Sequence, residues 1–174
     1  IDSLRENKVM SLKTRFGNLG NILDFDNLTK EDIYVLDSPI LTNSQFKKFK
    51  KFFSKKIRVI DCTFSITSSL KERIENLREE CETAVREGAT ALVLSDKNIS
   101  KERASIPSIL AVGAIHSHLV KLGLRGYCSI NVESSDALDT HSFAVLIGVG
   151  ATTINPYLAI DSIYQRFEKK LFGK

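Results

Sequence analysis

The sequence predicts an α/β fold: a mostly parallel sheet with right-handed βαβ crossovers, preceded by an irregular, partly helical leader. Three observations carry that expectation. From Ile57 onward, short apolar runs alternate with amphipathic stretches of helical period, the order that produces parallel strands joined by crossover helices. Ala89-Thr-Ala-Leu-Val-Leu-Ser-Asp96 is apolar almost throughout, as a strand buried on both faces must be. Gly88 and Gly123 stand just past two helical stretches, where a left-handed residue closes a helix. A half-barrel and a doubly wound open sheet satisfy this pattern equally.

Residues 1–56 read as a leader ending in a Lys/Phe-rich helix, and residues 57–174 as the βα repeat. The leader is irregular to about residue 40, punctuated by Gly17, Gly20 and Pro39. Thr42 opens the first helix, and Gln45 three residues later completes a capping box. Leu41 and Phe46 occupy the positions of a hydrophobic staple. Phe46, Phe49 and Phe53 share one face, with Lys47, Lys48, Lys51 and Lys55 largely off it. Ile57 to Phe64 reads as the first strand. Ser69 and Glu72 form a second capping box, followed by the stripe Leu70, Ile74, Leu77, Cys81, Ala84 and Val85. Ala89–Asp96 is the second strand. Pro107 suits the first turn of the next helix, and Gly123 its end. Tyr127–Glu133 is the third strand, Asp136–Ile147 a crossover helix and Ala151–Asn155 a short fourth strand. Tyr157–Leu171 is a terminal amphipathic helix expected to turn Leu158, Ile163 and Phe167 inward, with Lys169 and Lys170 near its C-terminus.

The 174 residues suit one domain. A net charge of +4, from 25 Lys and Arg against 21 Asp and Glu, is too small an excess to argue for nucleic acid. The basic run Lys47–Lys51 reads as a solvated helix face because its phenylalanines keep helical spacing. Cys62, Cys81 and Cys128 are scattered and odd in number, which fits reduced thiols, in the cytoplasm or an organelle, rather than a disulfide framework. The absence of a Cys-x-x-Cys pair argues against zinc or iron–sulfur ligation. No apolar run has the length of a membrane span. The chain opens at Ile1, and reads as a piece of a longer polypeptide.

Functional residues of parallel α/β folds lie beyond the carboxyl ends of the strands. Here those ends carry Asp61 and Thr63, Ser95 and Asp96, Asn131 and Glu133, and Asn155. Such residue types also cap helices and satisfy loop backbone. His116 and His118, two apart on a helix, point to roughly opposite sides and cannot chelate one metal. They read as core or interface histidines, as does His141. Asp96 and Arg125 are candidates for interdomain or loop-ordering bonds. Gly148 and Gly150 follow a helix and read as a helix stop and tight turn, not a phosphate loop. No nucleophile elbow or activated thiol is evident.

Several ordered blocks resemble one family. They are Leu36-Asp-Ser-Pro-Ile-Leu-Thr-Asn43, Glu87–Asp96, Ile106-Pro-Ser-Ile-Leu-Ala-Val-Gly-Ala-Ile-His116, Gly123-Leu-Arg125, His141–Gly148 and Asn155-Pro-Tyr-Leu-Ala159. Met10-Ser-Leu-Lys-Thr14 and Gly20-Asn-Ile-Leu23 extend the likeness into the leader. Together they resemble the central domain of the glutamate synthase large chain. The resemblance implies partners within the same chain: an amidotransferase domain with an N-terminal cysteine, and an FMN-binding barrel. It implies FMN and an iron–sulfur cluster for the parent protein and no cofactor in this piece. Residue 1 is Ile, so no catalytic residue is carried over. The implied role is structural: coupling the glutaminase and synthase sites, between which ammonia must pass. A stand-alone flavin- or phosphate-binding α/β enzyme using the strand-end polar residues is the alternative. The electron donor, nicotinamide or ferredoxin, lies outside these residues.

Overall fold

The computed structural model describes residues 10–16 and 33–172. In chain order the elements are β1 (Thr14–Phe16), β2 (Tyr34–Leu36), α1 (Asn43–Phe53), β3 (Ile57–Asp61), β4 (Thr63–Ser65), α2 (Leu70–Arg86), β5 (Ala91–Ser95), β6 (Arg103–Ser105), α3 (Ser108–Lys121), β7 (Ser129–Glu133), α4 (Thr140–Gly148), β8 (Thr153–Asn155) and α5 (Tyr157–Glu168). A four-stranded parallel sheet, ordered β3-β5-β7-β8, is the centre.

The strand order follows the chain without reversal, so the sheet has no topological switch point. The crossover helices α2, α3 and α4 all bury against one face. Leu77, Cys81, Ala84 and Val85 of α2, Ala111, Val112, Ile115 and Leu119 of α3, and Leu146 of α4 meet Ile60, Leu92, Leu94, Ile130, Val132 and Ile154 there. This is the connectivity of a half-barrel; the doubly wound alternative, which needs helices wound to both faces, is set aside.

The opposite face receives α1. Phe46, Phe49 and Phe53 pack on Ala91 and Val93, joined by Leu41 and by Tyr34 and Leu36 of β2. The rings are mutually engaged, with Phe49 and Phe53 centroids 5.0 Å apart and Tyr34 edge-on to Phe49 at 5.8 Å. Thr42 caps α1 through the full capping box. Leu41 and Phe46 are both buried, as the staple requires. The outer edge of β8 is closed by the leader, where Leu41 N–H donates to Ile154 O and Ile154 N–H to Pro39 O.

Several boundaries move, each for a local reason. The run Ile57–Phe64 breaks at Cys62, because Thr63–Ser65 leaves the sheet to pair antiparallel with β6. The leader is not irregular throughout: β1 and β2 form an antiparallel pair. Gly17, Gly20 and the block Gly20–Leu23 lie outside the described residues. The third strand starts at Ser129, since Arg125–Tyr127 forms a 3-10 turn. Pro107 is the N-cap of α3, not its first turn. Asp136 does not begin α4; Asp139 caps that helix by accepting from Ser142 N–H at 2.8 Å. The largest correction concerns α5. Leu158, Ile163 and Phe167 face outward, 47%, 58% and 72% exposed, and no residue of that helix is buried.

Gly88 and Gly123 adopt positive φ as helix-ending residues, and Gly150 has φ of 122°. A Cβ at Gly150 would sit 2.4 Å from His116 Nδ1. Gly150→Ala is therefore expected to lower the unfolding free energy by about 2 kcal/mol in urea denaturation, through strain and overlap. Gly113→Ala in the middle of α3, where a methyl group meets nothing within 4 Å, should raise it by up to about 1 kcal/mol. Equal effects of the two substitutions would show that His116 does not pin this turn.

Candidate functional site

Register brings the strand ends into one row. Asp61 pairs with Ser95, Ser95 with Glu133, and Glu133 with Asn155. Paired residues of a parallel sheet point the same way, so the four side chains line the carboxyl edge on the face that α1 covers. Of the predicted site residues, Asp61, Ser95 and Asn155 are gathered here.

Glu133 is the centre of the row and only 3% exposed. Its Oε1 accepts from Lys50 Nζ at 3.0 Å and lies 2.8 Å from Lys97 Nζ, and its Oε2 accepts from Ser95 Oγ at 2.9 Å. Burial pushes the carboxyl up, but the bonds to Lys97, Lys50 and Ser95 outweigh it and hold Glu133 below its ordinary value. Asn155, beside it, donates to Leu41 O at 2.9 Å and to Asn43 Oδ1 at 2.8 Å. Behind the row, Asn131 bridges the strands: it donates to Leu92 O at 3.0 Å and accepts from Thr153 Oγ1 at 2.7 Å. Asn131 is thus an internal sheet residue, not a rim residue.

The end of β3 is tied by arginines. Arg103 donates to Asp61 Oδ2 at 2.9 Å and to Thr63 Oγ1 at 2.8 Å. Arg73 donates to Asp61 O at 2.6 Å. Burial pushes Asp61 up, but bonds from Thr63 and the charge of Arg103 leave it below its ordinary value. Asp96 turns away from the row; its Oδ2 accepts from the backbone and hydroxyl of Ser135 at 2.8 and 2.7 Å. That joins the loops after β5 and β7. Asp136, from the same loop, accepts from Ser108 N–H at 2.9 Å and so caps α3 from outside the helix.

The remaining predicted residues lie elsewhere. His118 Nε2 is 2.9 Å from Glu82 Oε2 of α2, across a helix–helix contact. His116 Nδ1 accepts from Arg125 Nε at 3.2 Å, so its ring is neutral there; desolvation and then the Arg125 charge depress its pKa. Arg125 also donates to Cys128 O at 2.6 Å and Gly150 O at 2.9 Å, ordering the loops at the amino ends of β7 and β8. His141 is exposed on α4, beside a groove it shares with Ser108, Ile109, Asp136 and Val145.

Sequence reasoning missed Lys50, Lys97, Arg73 and Arg103. A signal for Lys50 existed: Phe46, Phe49, Lys50 and Phe53 fall at i, i+3, i+4 and i+7, which turns a lysine toward the sheet that the aromatic stripe covers. The others reach across loops whose geometry no spacing encodes.

Chemically, the row is occupied by its own bonds. Glu133 has spent its acceptor capacity on two ammonium groups and a hydroxyl. The three cysteines are buried; burial pushes Cys62 up to about 12 and Cys128 up to about 11, and raises Cys81 further still. Buried, protonated thiols are poor nucleophiles, and all three sit in the core on the helix-covered side of the sheet. Among the described residues no cluster of His, Cys, Asp and Glu is placed to hold a metal ion.

Residues 1–173 match the family model described as the glutamate synthase central domain. The chain is 49% identical over 176 residues to the NADPH glutamate synthase large chain of Azospirillum brasilense, covering 99% of this chain and 12% of that protein. It is 40% identical over 171 residues to the chloroplastic ferredoxin-dependent glutamate synthase of Spinacia oleracea, covering 95% and 10%. It is 36% identical over 170 residues to the NADH glutamate synthase of Schizosaccharomyces pombe, covering 94% and 8%. The chain thus spans only a small part of the length of these relatives.

A carboxyl depressed in the folded state stabilises fully above its unfolded pKa, and that stability is lost as pH falls through the folded value. Glu133, with an ordinary value of 4.5, should therefore contribute at neutral pH and steepen acid unfolding below that value. Glu133→Gln should cost about 2 kcal/mol at pH 7 and flatten the acid limb of a urea-stability profile. An unchanged acid limb would show that the Lys50–Glu133–Lys97 group is not what ties α1 to the sheet.

Proposed function

The chain belongs to the glutamate synthase central domain family, and from that premise we propose that it is a structural, interdomain-coupling domain, not a catalyst in its own right. In the family's reaction, glutamine and 2-oxoglutarate give two glutamates, and ammonia freed at a glutaminase site is used at an FMN-dependent synthase site. The proposed task of this domain is to hold those sites in register and to wall part of the shielded path between them. Its partners are the amidotransferase and FMN-binding domains of the same polypeptide. Residues 1–56 act as the leader and clamp helix of this domain, residues 57–174 as its βα body, and a reducing compartment, cytosol or organelle, suits its free thiols.

The observation that carries this reading is the strand-end row. In enzymes of parallel α/β folds that edge is where substrates bind. Here Glu133, Ser95, Asp61 and Asn155 bond to α1, to neighbouring loops and to one another. The edge is built as a rigid joint. The outer side of α3 supports the same reading. Ile109 and Leu110 are 47% and 41% exposed beside a groove of about 740 Å³ between α2 and α3, lined by Leu70, Ile74, Gly113 and Ala114. Apolar surface of that kind on a crossover helix suits a covering module. No helix among the described residues is long and apolar enough to cross a membrane.

Two outcomes test the proposal. The 174-residue chain given glutamine, 2-oxoglutarate and a reductant should form no glutamate, and an FMN titration should show no binding; turnover or micromolar flavin affinity would favour the stand-alone enzyme instead. In a family-length enzyme, Leu110→Asp should leave glutamine hydrolysis in place while free ammonia escapes and less glutamate forms per glutamine consumed. Unchanged stoichiometry would remove α3 from the coupling surface.

A further inference from the structure

Helix α5 carries an apolar stripe that is partly buried at Ile160 and bare from Ile163 onward among the described residues. Ile160, Ile163, Tyr164 and Phe167 follow the i, i+3, i+4, i+7 spacing of one helical face. Leu158 falls on the opposite side, among Asp161, Gln165 and Ser162. Ile163, Tyr164 and Phe167 are 58%, 59% and 72% exposed, and Leu171 and Phe172, just past the helix, are 65% and 53% exposed. The pattern is that of a packed helix, yet no residue of α5 is buried.

The helix is anchored near its start and closed at its end. At its start, Lys97 Nζ lies 5.0 Å from the Tyr157 ring centroid, and Asn43 Nδ2 donates to Asp161 Oδ1 at 2.7 Å. At its end, Leu171 N–H donates to Arg166 O at 3.0 Å and Lys170 N–H to Phe167 O at 2.9 Å, a Schellman closure. Lys170 takes the left-handed position with φ of 53°, a conformation that disfavours any residue with a Cβ. A helix of 12 residues is marginal in water without tertiary contacts. Definite ends and a bare apolar side together call for a partner.

We infer that the Ile160–Phe167 stripe docks the part of a family-length polypeptide that continues beyond residue 174. This chain covers 12%, 10% and 8% of three relatives, and the family match runs to residue 173. The matched family is described as a central domain, so a polypeptide of the relatives' length carries further chain for the stripe to meet. A tethered segment binds at high effective concentration, so a four-residue stripe with two aromatic anchors is sufficient. A lipid surface suits the helix less well: its polar side mixes Asp161 and Glu168 with Arg166, instead of the Lys/Arg-rich face of interfacial helices. The inference rests on the reading of this chain as one module of a longer polypeptide, and is independent of whether ammonia is transferred.

Alkylation of an introduced thiol tests it. Phe167→Cys is made in the 174-residue chain and in a family-length protein, and modification of residue 167 by N-ethylmaleimide is followed by peptide mass mapping. The short chain should react as a free thiol, and the long one at least about tenfold more slowly, the protection expected of a packed position. Gln165→Cys, on the opposite side, should react alike in both, and Ile163→Cys repeats the test should Phe167→Cys disturb assembly. Equal rates at residues 163 and 167 in the two proteins would overturn the inference. So would protection that appears in the short chain as its concentration rises, which assigns the stripe to a second copy, or only on adding anionic phosphatidylserine vesicles. Protection together with leaking ammonia would uphold the docking and refute the coupling role.

Discussion

A parallel sheet has to be covered on both faces, and the crossovers of this chain cover only one. That constraint organises the rest of the molecule. Helices α2, α3 and α4 bury one face with aliphatic side chains. The other face is left to α1, which brings three phenylalanines and a lysine to it. The sheet presents Ala91, Val93 and Asn131 on this face near its middle, and Ser95, Glu133 and Asn155 further on. The aromatic cluster supplies the apolar burial, and Lys50 and Asn43 supply partners for the polar end. Losing Lys50 would leave the buried Glu133 carboxylate with Lys97 and Ser95 alone, a costlier charge to bury.

The same arrangement accounts for the chemistry of the carboxyl edge. Groups that serve as acids, bases or anion binders elsewhere are here consumed in holding loops and α1 in place. Asp136 caps α3 from another loop, Asp96 fixes the turn at Ser135, and Arg103 and Arg73 lock the end of β3. Arg125 performs the equivalent task at the opposite end of the sheet, where Gly150 must lack a side chain for His116 to lie against it. A domain braced at both ends of its strands transmits position well, which is the property the proposed coupling role requires.

What the chain leaves bare is as informative as what it buries. The outer side of α3 and the stripe on α5 are apolar where a self-sufficient domain would be polar. Both belong to elements whose inward or end contacts are well made, so the exposure is not a consequence of poor folding. Such surfaces suit the contacts between modules that the proposed coupling role requires.

The sequence by itself determined which segments form strands and helices near the sheet. The capping box at Thr42, the apolar run before Ser95 and the glycines at 88 and 123 are local signals, acting through backbone geometry and side-chain period within a few residues. It also separated His116 from His118, since helical geometry alone sends them to different neighbours. Tertiary structure alone decided the sequential strand order, the antiparallel pair β4–β6, the assignment of Asp136 to α3 and the pairing of Lys50 with Glu133. These depend on residues far apart in the chain meeting in space, and periodicity is blind to distance beyond its own window. The outward face of α5 marks the same limit: a stripe of apolar residues announces that a helix needs a partner, and only the packed molecule shows whether that partner lies within the chain.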